Sequence, residues 1–221
     1  MSYVLWCSAG AFLLCFCCRP LNALEIDEGV LEKVAAHYGG EAVERVRNWG
    51  SLMVSDSQNA AFGDPERMKS ANDFFNLVAW LSDQEHWGRE DYWATPIEML
   101  ATNGGDCEDF SIGKYFTLRE TKLSPDKLRI TYVKSLTYNT PHMVLAYYET
   151  PDAEPLILDN INKQILPASQ RQDLLPVYSF NGESIWLAKA RGKKLKANSQ
   201  SAIPQWQKLN SRMLSEFGSK L

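Results

Sequence analysis

The chain is predicted to fold as an α+β domain, and three observations carry that expectation. Apolar residues recur at helical spacing through the first half, alternate at strand spacing through much of the second, and return to helical spacing at the end. Helices first and antiparallel strands second define the class. The 221 residues are 45% apolar and 23% charged, which suits one domain with a sizeable core and argues against a disordered chain.

Residues 1–23 read as an export signal, with an uncleaved membrane anchor as the alternative. Val4-Leu5-Trp6 and Ala11 to Cys18 form an apolar segment, and Leu21-Asn22-Ala23 is a small-residue cleavage site before Leu24. The domain proper is then 24–221. Four of the five cysteines (Cys7, Cys15, Cys17 and Cys18) lie in the signal, so Cys107 alone remains. A single unpaired thiol in an exported protein is exposed to oxidation, and its presence points to a task. The formal charge is −4, so nothing favours nucleic acid or an anionic membrane, and no stable membrane insertion is expected once the signal is removed.

A first helix is expected over 26–49, broken near Gly39-Gly40, followed by a polar linker from Ser55 to Gly63. A second helix is expected to start near Asp64-Pro65-Glu66, with Asp64 as cap, and to carry apolar residues as far as Leu81. Asp83 to Thr95 is rich in aromatics and charges (His86, Trp87, Tyr92, Trp93) without a clean period, and reads as a loop. Thr95-Pro96-Ile97-Glu98 begins a short helix. Strands are expected over 128–134, 142–149 and 156–158, and at 177–180 and 184–187 on either side of an Asn181-Gly182 hairpin. A last amphipathic helix, 204–217, places Trp206, Leu209, Met213, Leu214 and Phe217 on one face.

The chemistry centres on Asn103-Gly104-Gly105-Asp106-Cys107-Glu108-Asp109-Phe110. Breaker, acids and then an apolar periodic run is how a helix N-terminus reads, so Cys107 falls in a first turn. Unpaired N–H groups and the macrodipole there favour thiolate, which can attack a carbonyl carbon. Such a nucleophile needs a base and a group to orient that base. His37 sits in the first helix, and His86 lies in the aromatic loop with no orienting partner apparent. His142 stands at a strand mouth, and Asp159 ends the next strand, where it could reach His142 or simply start a turn.

Gly104-Gly105-Asp106-Cys107-Glu108-Asp109, then Pro141-His142-Met143-Val144-Leu145, then Leu158-Asp159-Asn160 resemble the bacterial transglutaminase-like cysteine proteinases. The resemblance runs over essentially the whole chain after the signal. It implies a papain-like or transglutaminase-like fold, with a helical N-terminal half packed on an antiparallel sheet. It also implies a thiol mechanism with Cys107 as nucleophile, His142 as base and acid, and Asp159 as orienter. Further implications are calcium dependence, a periplasmic location, and cleavage of a large surface adhesin near an Ala-Ala pair in the control of biofilm attachment. Inhibition by the periplasmic domain of a LapD-type cyclic-di-GMP receptor is implied as well.

The residues themselves bear on calcium. Carboxylates at Asp106, Glu108 and Asp109 would disfavour a thiolate between them unless a hard cation neutralised the cluster. Carbonyls of the Ser124 to Leu128 loop could add ligands; the alternative is ordinary helix capping by the same acids. Two further alternatives stay open: acyl transfer to an amine by the same three residues, and a catalytically silent calcium-binding adaptor.

Overall fold

Six helices and two short strands carry the chain from its first described residue to the far side of Cys107. The computed structural model describes residues 26–188, 193–194 and 198–217; the predicted signal and its cleavage site lie outside them. Helices α1 (Glu28–Tyr38) and α2 (Gly40–Gln58) meet at Gly39, whose φ of 85° only glycine adopts without strain. α2 runs nine residues past the expected end at Trp49, because Met53 and the Asp56–Ser57 pair are also buried.

α3 (Asp64–Phe75) is capped by Gly63 rather than by Asp64, with the Glu66 carboxylate accepting the Gly63 N–H at 2.9 Å. It stops six residues before Leu81. Asn76 turns its side chain inward, Leu77 is 84% exposed, and Ala79–Trp80 becomes strand β1. The apolar residues after Phe75 therefore belong to a bend and a strand, which a helical period cannot separate from a helix end. The expected loop after it contains one turn of helix, α4 (Asp83–His86).

α5 (Pro96–Thr102) begins with a reciprocal cap: Thr95 Oγ1 accepts from Glu98 N–H at 3.1 Å, and Glu98 Oε2 accepts from Thr95 N–H at 2.8 Å. It ends at Asn103 in the left-handed region. Strand β2 (Gly104–Gly105) pairs in parallel with β1, and helix α6 (Cys107–Glu120) follows. Residues 109–118 of α6 are all buried, so this helix is the centre of the molecule.

The second half is one antiparallel sheet, with strands β3 (Leu128–Ser135), β4 (Thr140–Tyr147), β5 (Leu156–Leu158), β6 (Leu166–Pro167), β7 (Leu174–Phe180), β8 (Ile185–Leu187) and β9 (Lys193–Lys194). Their order is β6-β5-β4-β3-β7-β8-β9. β7 and β8 are joined through Asn181, whose side-chain oxygen accepts from Glu183 and Ser184 N–H groups, instead of by a two-residue Asn-Gly turn. Alternation along β3, β4 and β5 sends Leu128, Ile130, Met143, Leu145 and Leu158 into the main core with α6. Val133, Val144, Ala146 and Ile157 form a smaller cluster on the other face.

Two C-terminal helices, α7 (Ser199–Ala202) and α8 (Pro204–Phe217), close the core. α8 buries Trp206, Leu209, Met213 and Phe217 but leaves Leu214 out, since a helix face about 100° wide does not reach it. Among the described residues no helix is long and apolar enough to cross a membrane.

The seating of α6 against α3 has a measurable consequence. A Cβ on Gly113 would lie 2.3 Å from Cε1 of the fully buried Phe75 ring. Gly113→Ala is expected to destabilise the fold by about 2 kcal/mol despite alanine's better helix propensity, with Phe75→Leu recovering part of the loss. A urea midpoint unchanged by Gly113→Ala would show that the ring gives way.

Candidate active site

The two glycines before Asp106-Cys107 are set by close approach as well as by turn chemistry. A Cβ on Gly104 would lie 2.5 Å from Leu81 Cδ1, and one on Gly105 would lie 2.7 Å from Asp109 Oδ2. This thin stretch lets β1 pair with β2, with Ala79 opposite Gly104 and Trp80 opposite Gly105. Asp106 then occupies the N-cap of α6 and Cys107 its first position, as the sequence predicts. Asp109 braces the turn: Oδ1 accepts from Ala94 N–H at 2.7 Å and Oδ2 from Asp106 N–H at 3.2 Å.

Cys107 is half-buried and donates from Sγ to Glu108 Oε2 at 3.0 Å. Burial pushes its thiol well above the usual range. The Glu108 and Asp106 charges add to that rise, and a hydrogen bond from the Met143 N–H opposes it. Without a cation the thiol form is favoured, the direction expected from the carboxylates around it. About half a charge at the helix mouth does not outweigh burial beside two carboxylates.

His142 and Asp159 come together through the sheet. β5 stops at Leu158 opposite Leu145, so among the described residues no strand pairs with β4 from Thr140 to Val144 on that side. Into that opening come the Cys107 sulfur, at the Met143 N–H, and Asp159, leaving β5. Continuing the register puts Asp159 opposite Val144 and diagonal to His142, on one face by the period of two. His142 Nε2 donates to Asp159 Oδ1 at 2.8 Å, both side chains being buried. That bond leaves Nδ1 as the nitrogen free to take a proton. Burial alone would raise the Asp159 carboxyl, but hydrogen bonds from His142, the Ile161 N–H and Arg171 hold it well below the usual range.

Cys107, His142 and Met143 open on one cleft of about 700 Å³, walled by Trp93, Tyr132 and Tyr178. Tyr132 stacks on Tyr178 with centroids 5.3 Å apart, and Trp93 on Phe180 at 5.8 Å. Of the aromatic segment, Trp93 with Glu90 and Asp91 lines the cleft with Cys107, whereas Trp87 packs between His86 and Tyr92. His86 is half-buried against Trp87 away from the cleft, and His37 bonds its own helix at Lys33.

The acids gather around Asp83, which sequence reasoning missed. Carboxylate oxygens of Asp83, Asp106 and Asp109 lie within 4.8 Å of one another, as do those of Asp83, Asp91 and Glu108. Burial, with the neighbouring charge of Glu108, pushes Asp106 up to about 9, and burial raises Asp83, Glu108 and Asp109 as well. Buried Asp83 Oδ1 and Asp106 Oδ1 accept no hydrogen bond from any described residue. The Ser124 to Leu128 loop cannot join them. It follows the opposite end of a fourteen-residue helix, about 20 Å away at the rise of an α-helix.

Two buried cationic residues also escaped sequence reasoning. Arg171 Nη2 donates to Asp159 Oδ2 at 2.7 Å, and Lys114 Nζ donates to the Asp159 carbonyl at 3.0 Å. Lys114, a lone cation in the apolar run of α6, could have been noticed; nothing near Arg171 marks it.

A cysteine at a helix start, facing a histidine held by a carboxylate across one cleft, is the arrangement of a thiol protease, and the chain is a cysteine protease. It belongs to the bacterial transglutaminase-like cysteine proteinases, whose family model matches residues 56–188. Among solved structures it is similar to LapG of Legionella pneumophila. The EGTA-treated form is 42% identical, covering 86% of this chain and 100% of that one, with a TM-score of 0.74. For the calcium-bound form the identity is 43%, the coverage 83% and 97%, and the TM-score 0.70. No curated protein matches the chain.

Proposed function

We propose that the protein is an exported, calcium-dependent endopeptidase of the periplasm that cleaves a large cell-surface adhesin near an Ala-Ala pair and so controls biofilm attachment. Its triad is Cys107, His142 and Asp159. The observation that carries the chemistry is the 2.8 Å bond from His142 Nε2 to Asp159, His142 lining the cleft that Cys107 also lines. Likeness to LapG, known in calcium-bound and EGTA-treated forms, supports the metal; the substrate class rests on the family resemblance of the motifs. The inhibitory partner is the periplasmic domain of a LapD-type cyclic-di-GMP receptor.

His142 Nδ1 takes the Cys107 proton as sulfur bonds to the scissile carbonyl carbon. Asp159 holds the Nε2–H and stabilises the imidazolium that forms. The Cys107 N–H, one of the unpaired donors of a helix first turn, faces the developing oxyanion. His142 then gives its proton to the leaving amine, leaving a thioester. Water, deprotonated by the same nitrogen, attacks that thioester and restores the thiol.

The acid cluster fits a hard cation, because two buried carboxylate oxygens lack donors and oxygen ligands are what calcium takes. Asp83, Asp106 and Glu108 would hold it, with Asp91 in reach. Asp109 has less to offer, since both its oxygens already accept backbone N–H groups. When bound, calcium neutralises the carboxylates beside the sulfur.

Incubation with an adhesin fragment, with and without a primary amine, tests the reaction. New peptide termini in both cases are expected. Amine-tagged or crosslinked product in place of new termini would make the protein an acyl transferase.

A further inference from the structure

A triad aspartate needs one hydrogen bond to its histidine, yet Asp159 accepts from four more donors. Arg171 Nη2 takes Oδ2, with the two side chains only 2% and 0% exposed. Arg171 is itself fixed by Asp173, through Nε at 2.9 Å and Nη2 at 2.8 Å. Ile161 N–H shares Oδ1 with His142, at 3.0 Å. On the backbone side, the Asp159 carbonyl accepts from Lys114 Nζ at 3.0 Å and from Asn76 Nδ2 at 3.1 Å, while Lys114 also donates to Asn76 Oδ1 at 2.9 Å. Lys163 secures Asn76 in turn, donating to its carbonyl at 2.9 Å.

Burying an ion pair is weak grounds for stability, since desolvation of both charges offsets most of the attraction and apolar side chains of similar volume often do as well. What the pair does provide is direction. With Oδ2 occupied by Arg171, the carboxylate plane cannot turn and only Oδ1 meets His142. Lys114 supplies the complementary constraint. It stands seven residues after Cys107, two turns along the same face of α6. The helix that presents the sulfur thus also reaches the residue that orients its base.

We propose that Arg171 and Lys114 are positioning residues for the reaction: Arg171 sets which oxygen of Asp159 holds His142, and Lys114 sets the spacing between Asp159 and the helix bearing Cys107. This rests on the triad reading above. Neither residue lines the cleft, so both act through Asp159 and not on substrate.

The test is a double-mutant cycle on the whole calcium-loaded protein with a peptide substrate. Arg171→Gln and Lys114→Met are each expected to lower kcat about 10–100-fold, the cost of a displaced catalytic group, with KM within about twofold. Arg171→Lys, which keeps a cation, recovers part of the loss. In an Asp159→Asn background the same changes alter kcat less than about twofold, because the carboxylate whose direction and placement they set is gone. Losses of equal size in both backgrounds would overturn the proposal while leaving the triad intact. An Asp159→Asn protein as active as the parent would remove Asp159 from the triad, and the proposal with it. If Arg171→Gln fails to fold, Arg171→Lys and Lys114→Met carry the cycle; failure of all three to fold would make these residues folding groups only and end the proposal.

Discussion

Cys107→Ala is expected to lower peptide hydrolysis by at least about 10⁴-fold, the order of loss when the nucleophile of a triad is removed. The fold should survive. The sulfur is half-buried at the start of α6, and the side-chain hydrogen bond it donates goes to Glu108. Losing that contact costs little, because the surrounding carboxylates already repel one another in the metal-free state. His142→Ala should give a comparable loss of hydrolysis and should also slow alkylation of Cys107, since Nδ1 no longer draws the thiol proton. Melting temperature and cleavage rate, read on the same preparations, separate chemistry from folding. A Cys107→Ala protein that still cleaves would leave the sulfur with no part in the reaction.

Calcium removal should have the second largest effect, and one that a single substitution abolishes. In the metal-free protein, burial raises Asp83, Asp106, Glu108 and Asp109 together, and Asp106 reaches about 9. A carboxyl raised in the folded state binds more protons folded than unfolded, so its contribution is fully present below about pH 4 and is lost as pH rises toward 9. Metal-free protein should therefore melt higher at pH 5 than at pH 8. Calcium should flatten or invert that slope, because it binds the ionised carboxylates. At a hundredfold excess over its Kd, a bound ion adds about 2.7 kcal/mol. That corresponds to about 5–10 °C in a domain of this size. Asp106→Asn should raise the melting temperature of the metal-free protein by removing one like charge, and should abolish the gain on adding calcium. Equal melting with calcium and with a chelator would sink this account, as would an Asp106→Asn protein that responds like the parent.

The local parts of the site were readable in one dimension. Asn103-Gly104-Gly105 before a periodic run marks the start of α6, and Thr95-Pro96-Ile97-Glu98 spells out the cap of α5, because capping is settled within three or four residues. His142 at a strand mouth and Asp159 at a strand end were likewise visible from alternation. Asp83 was not. It reaches Asp106 because β1 pairs with β2, and two-residue strands have no period to detect. The end of α3 was missed for a related reason, since Leu77 and Val78 continue an apolar run that the chain uses for a bend. For the thiol, the neighbouring charges of Asp106 and Glu108 were visible in the sequence, but its burial, the larger cause of the raised proton affinity, was not.

By itself the sequence determined the fold class and most of the elements, properties set by neighbours a few positions apart, and its motifs pointed to the class of chemistry. Only the tertiary structure decided which nitrogen of His142 meets Asp159, which acids share a cation's reach, and that Arg171 and Lys114 close on Asp159. Those contacts join residues 12 to 45 positions apart through sheet register and helix packing. Their energies exist only once water has been excluded between the partners.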